Sequence, residues 1–271
     1  MIQFMNNIKN LVSEELSYVD AKINTLIINK NLDTKLHDFL NASDKRIRSL
    51  VLFLYLKSQN YVITKEVLDV AFAGEIVHNA SLLQDDIIDE SDKRRGLQTF
   101  SKEFSPKISL LVGDNLLTEA VSILLKMNNA EILQVFLNSI KMMSSAEITQ
   151  FFNRGTIPSE EVYINICRGK TASLFEAMFH ASAILLKKPE KKFVEFAKLF
   201  GIIFQINNDL SPNSEQNDID NKIYTAKKVL GIEKTKILTH NYLEELRYSI
   251  RTISPNKYQE GLEELLNYYE L

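Results

Sequence analysis

One cysteine, five prolines, eight glycines and no tryptophan occur in 271 residues, and each scarcity closes off a class of structure. Cys167 has no partner for an intramolecular disulfide and no companion Cys/His cluster for a zinc site, which fits a reducing compartment, so a cytoplasmic location is expected. With so few Gly and Pro there are few turns, and the elements should be few and long. Strand-like alternation long enough to build a sheet is missing, as are internal repeats and low-complexity linkers. Charge of one sign is missing too. With 32 basic against 35 acidic side chains the formal charge is −3, so no overall basic field invites nucleic acid, and any anion site has to be built locally. The first six residues carry no charged region or signal-length apolar block, and the longest apolar run, Leu50 to Leu56, is too short to cross a bilayer, so no transmembrane segment is expected.

What the chain does have is apolar residues at three and four spacing over long stretches. With 45% hydrophobic residues it can build one large core, and one domain over residues 1–271 is the expectation. From Thr64 as N-cap, the run Val67, Leu68, Val70, Ala71, Gly74, Ile76, Val77, Ala80, Leu82, Leu83 leads unbroken to Asp85, a helix apolar on most sides. Similar stretches cover about Ile2 to Ile28, Arg46 to Lys57, Lys107 to Met127, Ala130 to Phe152, Ser159 to Leu186 and Lys191 to Leu210, with shorter ones after Lys222. Pro158 and Pro189 fall at first-turn positions, where a missing N–H costs nothing. The fold class is all-α, with central helices apolar nearly all round because neighbours surround them.

The sharpest chemical signal is Asp85-Asp86-Ile87-Ile88-Asp89 at the end of that long helix, followed by Lys93-Arg94-Arg95-Gly96. On a helix, residues three and four apart share a face, so the three carboxylates converge and repel. A helix C-terminus adds an unfavourable dipole term, and a bound divalent cation would offset both. Hard oxygen ligands suit Mg²⁺, which keeps most of its positions for water and phosphate oxygens, so a phosphorylated substrate is implied. Arg94 and Arg95 follow closely, with guanidinium forks that can hold phosphate oxygens. The plainer alternative is a solvated helix end with a charged loop.

The stretch His78-Asn79-Ala80-Ser81-Leu82-Leu83-Gln84-Asp85-Asp86-Ile87-Ile88-Asp89 with Arg94-Arg95-Gly96 resembles the first aspartate-rich motif of the all-trans polyprenyl diphosphate synthases. The resemblance extends to Lys45-Arg46-Ile47-Arg48, Leu111-Val112-Gly113-Asp114, Glu147-Ile148-Thr149-Gln150, Gly169-Lys170-Thr171-Ala172 and Phe204-Gln205, in the family's order. It implies a bundle of long antiparallel helices around a central cavity, a homodimer, and condensation of isopentenyl diphosphate with an allylic diphosphate. By the same resemblance Lys45, Arg48, His78 and Arg95 would hold isopentenyl diphosphate. Asp85, Asp86 and Asp89 would ligate Mg²⁺, and Arg94, Lys170, Thr171 and Gln205 would address the allylic substrate. Taken singly, Lys45 and Arg48 read as surface charges, His78 as a core histidine, Lys170-Thr171 as a surface lysine beside a helix-interior threonine, and Gln205 as a buried amide bonded to backbone.

After Phe204-Gln205 the pattern departs from the family: Ile206-Asn207-Asn208-Asp209-Leu210-Ser211-Pro212 keeps only the middle aspartate of a second trio. Asp209 is the metal ligand expected there, Asn208 offers only an uncharged carbonyl, and Pro212 should end the helix near Ser211. Lys222 stands where a lysine for the diphosphate could come from. The degenerate motif leaves a second reading, a non-catalytic or regulatory subunit completed by a partner. A helical terpene cyclase has no use for Lys45, Arg48, His78 and Arg95. Ala80, five residues before Asp85, and the small residues a turn or two behind it set no aromatic floor, so the family rule implies a geranylgeranyl or longer product, whose lipid tail would favour weak peripheral membrane contact.

Overall fold

The structure is a computed structural model, and it describes residues 2–42, 46–94, 96–210, 221–251 and 253–270. The chain falls into two compact units, Met1–Leu56 with Val62–Leu133 and Lys57–Tyr61 with Gln134–Leu271. Among the described residues all regular structure is helical apart from one hairpin of two two-residue strands.

The first unit contains α1 (Ile2–Asn10), α2 (Ser13–Ile23), α3 (Asp33–Asn41), most of α4 (Ile47–Ser58), α5 (Lys65–Ile88), the hairpin β1 (Lys93–Arg94) and β2 (Leu97–Gln98), α6 (Phe100–Glu103), α7 (Pro106–Leu125) and the start of α8 (Ala130–Phe152). The single helix expected from Ile2 to Ile28 is two. At Leu11 and Val12 the N–H groups reach back only three residues, to Ile8 and Lys9 at 3.1 Å, and Val12 leaves the helical region. Ile8 and Val12 are both buried, so burying them from a bent chain overrides a continuous helix that no Gly or Pro forbids.

α5 follows the sequence closely. Thr64 caps it, its Oγ1 accepting from the Val67 N–H at 3.4 Å, and fourteen of its residues, on all sides of the helix, are buried. α7 packs along it. At Gly113 the two helices are in van der Waals range, a Cβ there standing 3.5 Å from the Ala80 carbonyl and 3.8 Å from Leu83 Cβ. The Ser109 hydroxyl donates to the Leu83 carbonyl at 3.2 Å. α7 starts as its sequence asks, with Ser105 as cap and Pro106 in the first turn. By length and composition it is also the one helix among the described residues able to cross a membrane; core helices pass the same test.

The second unit holds the rest of α8, α9 (Glu160–Cys167), a π-helical turn (Arg168–Ala172), α10 (Ser173–Leu186), α11 (Glu190–Asp209), α12 (Ala226–Val229), α13 (Ile232–Arg251) and α14 (Lys257–Tyr268). The rod expected from Ser159 to Leu186 is present with Ser159 as its cap, and its backbone stays helical through the π turn. Pro158 and Pro189 lie just outside the first turns; Pro189 is the N-cap of α11. Phe175, Phe179, Phe196, Phe200, Phe204 and Tyr269 stack into one aromatic core between α10, α11 and the C-terminus.

Candidate active site

In the first unit, α5 runs through Asp85 and Asp86 and is capped by Asp89, whose N–H bonds the Asp85 carbonyl at 2.8 Å. The chain then returns through the β1–β2 hairpin, in which Arg94 pairs with Leu97, held at its base by Thr99 donating to the Ser91 carbonyl at 2.7 Å. This return brings Arg94 Nε to 2.6 Å from Asp86 Oδ1, where the Asp86 side chain is fully buried. Asp86 and Arg94, expected to serve cation and substrate separately, are partners. The pairing neutralises the buried member of a repelling trio, while Asp85 and Asp89 stay half-buried at its edge.

Lys45 and Arg95 lie outside the described residues. Arg48 is buried on the first turn of α4, so it is not a surface charge, and His78 is half-buried on α5. The absence of an aromatic behind Ala80 needs a correction: Phe72 lies on the same helix, about 12 Å further back at 1.5 Å per residue. It lines a groove of about 550 Å³ that is largely polar, with Lys22, Glu66, Asp69 and Glu119 beside Leu26 and Met127.

In the second unit the polar residues form one chain of hydrogen bonds. Thr171 donates to Gln205 Oε1 at 2.5 Å, Gln205 Nε2 donates to Asp209 Oδ1 at 2.7 Å, and Asp209 Oδ2 accepts from the Tyr163 hydroxyl at 2.6 Å and the Ala226 N–H at 3.2 Å. The carboxylate can only accept, which fixes the Gln205 amide with its carbonyl toward Thr171. Burial pushes the Asp209 carboxyl above its usual range, against the pull of Tyr163, Gln205, the Ala226 N–H and Lys170. Burial and then the Asp209 charge hold Tyr163 well above its ordinary value, so it stays a donor. Asp209, expected as a metal ligand, thus has both oxygens engaged by protein donors. Its neighbour Asn208 is exposed, and α11 ends at Asp209; Ser211 and Pro212 lie outside the described residues.

Lys170 is ion-paired with Glu147. The π turn that carries Lys170 and Thr171 is pressed from two sides: a Cβ on Gly169 would meet Ala146 Cβ of α8 at 2.5 Å, and one on Gly201 would meet Ala172 Cα at 2.5 Å. Such wide turns inside α-helices recur at functional sites. Lys222 is exposed, in a left-handed conformation, and its carbonyl accepts from the Gly155 N–H at 3.0 Å. Tyr163 and Glu147, as a lysine partner, escape a reading of motifs, and so does Glu75 of α5, whose Oε1 accepts from the Ser49 hydroxyl at 2.7 Å. Only Glu75 announces itself in the sequence, as the one carboxylate in the apolar stretch from Val70 to Val77.

The chain is 30% identical over 215 residues to the octaprenyl diphosphate synthase of Escherichia coli (strain K12), a match that covers 76% of this chain and 65% of that protein. The chain thus spans just under two thirds of that relative's length. Among solved structures it superposes on a decaprenyl diphosphate synthase from Rhodobacter capsulatus with a TM-score of 0.87, at 20% identity and 98% coverage of both chains. It also superposes on a polyprenyl synthase from Caulobacter crescentus CB15, solved with calcium and isoprenyl diphosphate, with a TM-score of 0.80 at 19% identity, covering 98% of this chain and 97% of that one. At these identities the superpositions speak for a shared fold. Residues 29–229 match the family model described as Polyprenyl synthetase, and with this match over most of its length the chain belongs to the polyprenyl synthetase family.

Proposed function

We propose that the chain is an all-trans polyprenyl diphosphate synthase, read as one synthase domain over residues 1–271, that joins isopentenyl diphosphate to an allylic diphosphate with Mg²⁺. The observation that carries the reading is the end of α5, where buried Asp86 pairs with Arg94 and the half-buried Asp85 and Asp89 stand at i, i+4, a set of hard oxygen donors. That donor set fits Mg²⁺, which takes one or two protein carboxylates and keeps its other positions for water and phosphate. When bound, Mg²⁺ would supply positive charge to the departing diphosphate.

The chain's own groups divide the remaining work. Lys45, Arg48, His78 and Arg95 hold isopentenyl diphosphate, while Arg94, Lys170 and Lys222 supply cationic donors to the allylic diphosphate. Thr171 gives its proton to Gln205, so its oxygen lone pairs can face an allylic cation without capturing it. Asp209 fixes Gln205 and through it Thr171; with three donors already on its carboxylate, anchoring is favoured over metal ligation.

A geranylgeranyl or longer product is favoured by Ala80, whose side chain offers no bulk. A homodimer is favoured by Leu110, Leu111 and Leu125, which α7 leaves exposed; sedimentation of the pure protein tests it. A cytoplasmic enzyme with weak peripheral membrane contact through its lipid product completes the proposal.

The second reading, a subunit that needs a partner, draws on the same Asp209, since the second motif then brings little charge of its own. Assay of the pure chain with and without a catalytically competent homologous synthase separates the two. Turnover by the pure chain alone supports the synthase; no turnover alone, with a rate or product length in the mixture that differs from that of the homologous synthase by itself, supports the subunit.

A further inference from the structure

Arg46 stands between Lys45 and Arg48 and is built into the fold in a way neither a surface cation nor a substrate ligand requires. It is the residue before α4, its carbonyl accepts from the Leu50 N–H at 2.8 Å, and its φ of 42° lies in the left-handed region. A non-glycine residue holds that conformation only where its surroundings dictate it. They do so here: the residue is 4% exposed, Nε bonds Asp20 Oδ1 of α2 at 2.9 Å, and Nη1 stands 4.0 Å from Glu75 Oε2 of α5.

Glu75 completes the arrangement. It is 1% exposed, and Oε1 accepts from the Ser49 hydroxyl at 2.7 Å and from the Ser49 N–H at 3.4 Å. A buried carboxylate from one helix therefore caps the first turn of another and balances the guanidinium beside it. One donor of the first turn of α4, the Ser49 N–H, is thereby satisfied by a side chain of α5. Burying charges gains little stability over apolar packing; the best-attested use of such groups is to specify one geometry.

We propose that Arg46, Glu75 and Ser49 form a positioning clasp for the isopentenyl diphosphate pocket. The clasp locks the start of α4, which carries Arg48, to the turn of α5 that carries His78, which lies three residues beyond Glu75 on the same helix face. The proposal rests on the synthase reading above and adds to it residues that need not touch substrate.

The test is equilibrium binding of isopentenyl diphosphate to the full-length protein, with steady-state kinetics beside it. Glu75→Gln keeps an acceptor for Ser49 and removes the charge opposite Arg46. It should raise the Kd and KM for isopentenyl diphosphate about tenfold, with kcat and the allylic KM within about twofold of wild type. Arg46→Lys should fall between wild type and Arg46→Met, since it keeps charge without the fork. Should Glu75→Gln not fold, Ser49→Ala removes one bond of the clasp and must move the same Kd in the same direction. A lowered Tm with an unchanged Kd overturns the clasp and leaves a structural ion pair. Lys45→Ala separates the two levels of the argument. If it weakens binding while the clasp variants do not, only the clasp fails; if wild type does not bind isopentenyl diphosphate, the synthase reading fails and takes the clasp with it.

Discussion

The Tyr163 hydroxyl donates to the Asp209 carboxylate at 2.6 Å and so ties the surviving aspartate of the second motif to the helix that leads into Thr171. Tyr163→Phe removes that donor from an enclosed carboxylate at almost no change in volume. Leaving such a group short of a partner should cost about 1–3 kcal/mol of folding stability. Gln205 would be less firmly held, so kcat should fall while the KM for isopentenyl diphosphate stays. Urea denaturation and steady-state kinetics check both, and a variant with wild-type stability and kcat would remove Tyr163 from the network.

Asp209 also predicts a pH dependence. Its carboxyl is raised above the ordinary 3.8, burial being the largest cause. A raised carboxyl holds its proton more tightly in the folded chain, so the cost of ionising it is absent below the unfolded value and grows as pH rises through the folded one. Asp209→Asn has no such titration. The stability of wild type relative to this variant should therefore decline as pH rises from 3.8 toward neutrality, as measured by denaturation at a series of pH values. A flat or rising difference would mean that the hydrogen bonds from Tyr163, Gln205 and the Ala226 N–H outweigh burial.

The sequence makes α5, its Thr64 cap and the acidic end legible because hydrophobic period, capping and charge all agree there. It does not reveal the break at Val12, where burial rather than a breaker residue ends the helix. Nor does it reveal the π turn at Arg168–Ala172, which has a helical sequence and is flanked by the close approaches of Ala146 to Gly169 and of Gly201 to Ala172. The site divides the same way. Aspartates and arginines in motif order are readable, whereas the pairing of Asp86 with Arg94 depends on a hairpin register, and Tyr163 on a contact across 46 residues.

Gly201→Ala tests the close approach. A methyl there would stand 2.5 Å from Ala172 Cα and 2.7 Å from its Cβ, so backbone has to move. Overpacking of this kind costs about 1–3 kcal/mol, and the shift is delivered to the residue next to Thr171. Stability and kcat should both fall; a folded variant with wild-type kcat would show that the π turn tolerates displacement.

Ala80→Phe tests product length. Ala80 is fully buried about 7–8 Å along α5 from Asp85 at 1.5 Å per residue, and close-packed surroundings leave a ring little room. Elongation should stop near farnesyl while the first condensation continues. Chromatography of products from one primer reads the outcome, and unchanged product length in a folded, active variant would mean that the growing chain does not pass Ala80.

The most direct test is turnover by the pure wild-type chain with labelled isopentenyl diphosphate, a panel of allylic diphosphates and Mg²⁺, run beside Asp85→Ala and Asp89→Ala. The synthase account predicts labelled prenyl diphosphates from wild type only when both substrates and Mg²⁺ are present. It predicts none from either variant, with the helical circular dichroism of both variants unchanged. Wild-type turnover by Asp85→Ala or Asp89→Ala, or labelled product formed without Mg²⁺, would contradict it.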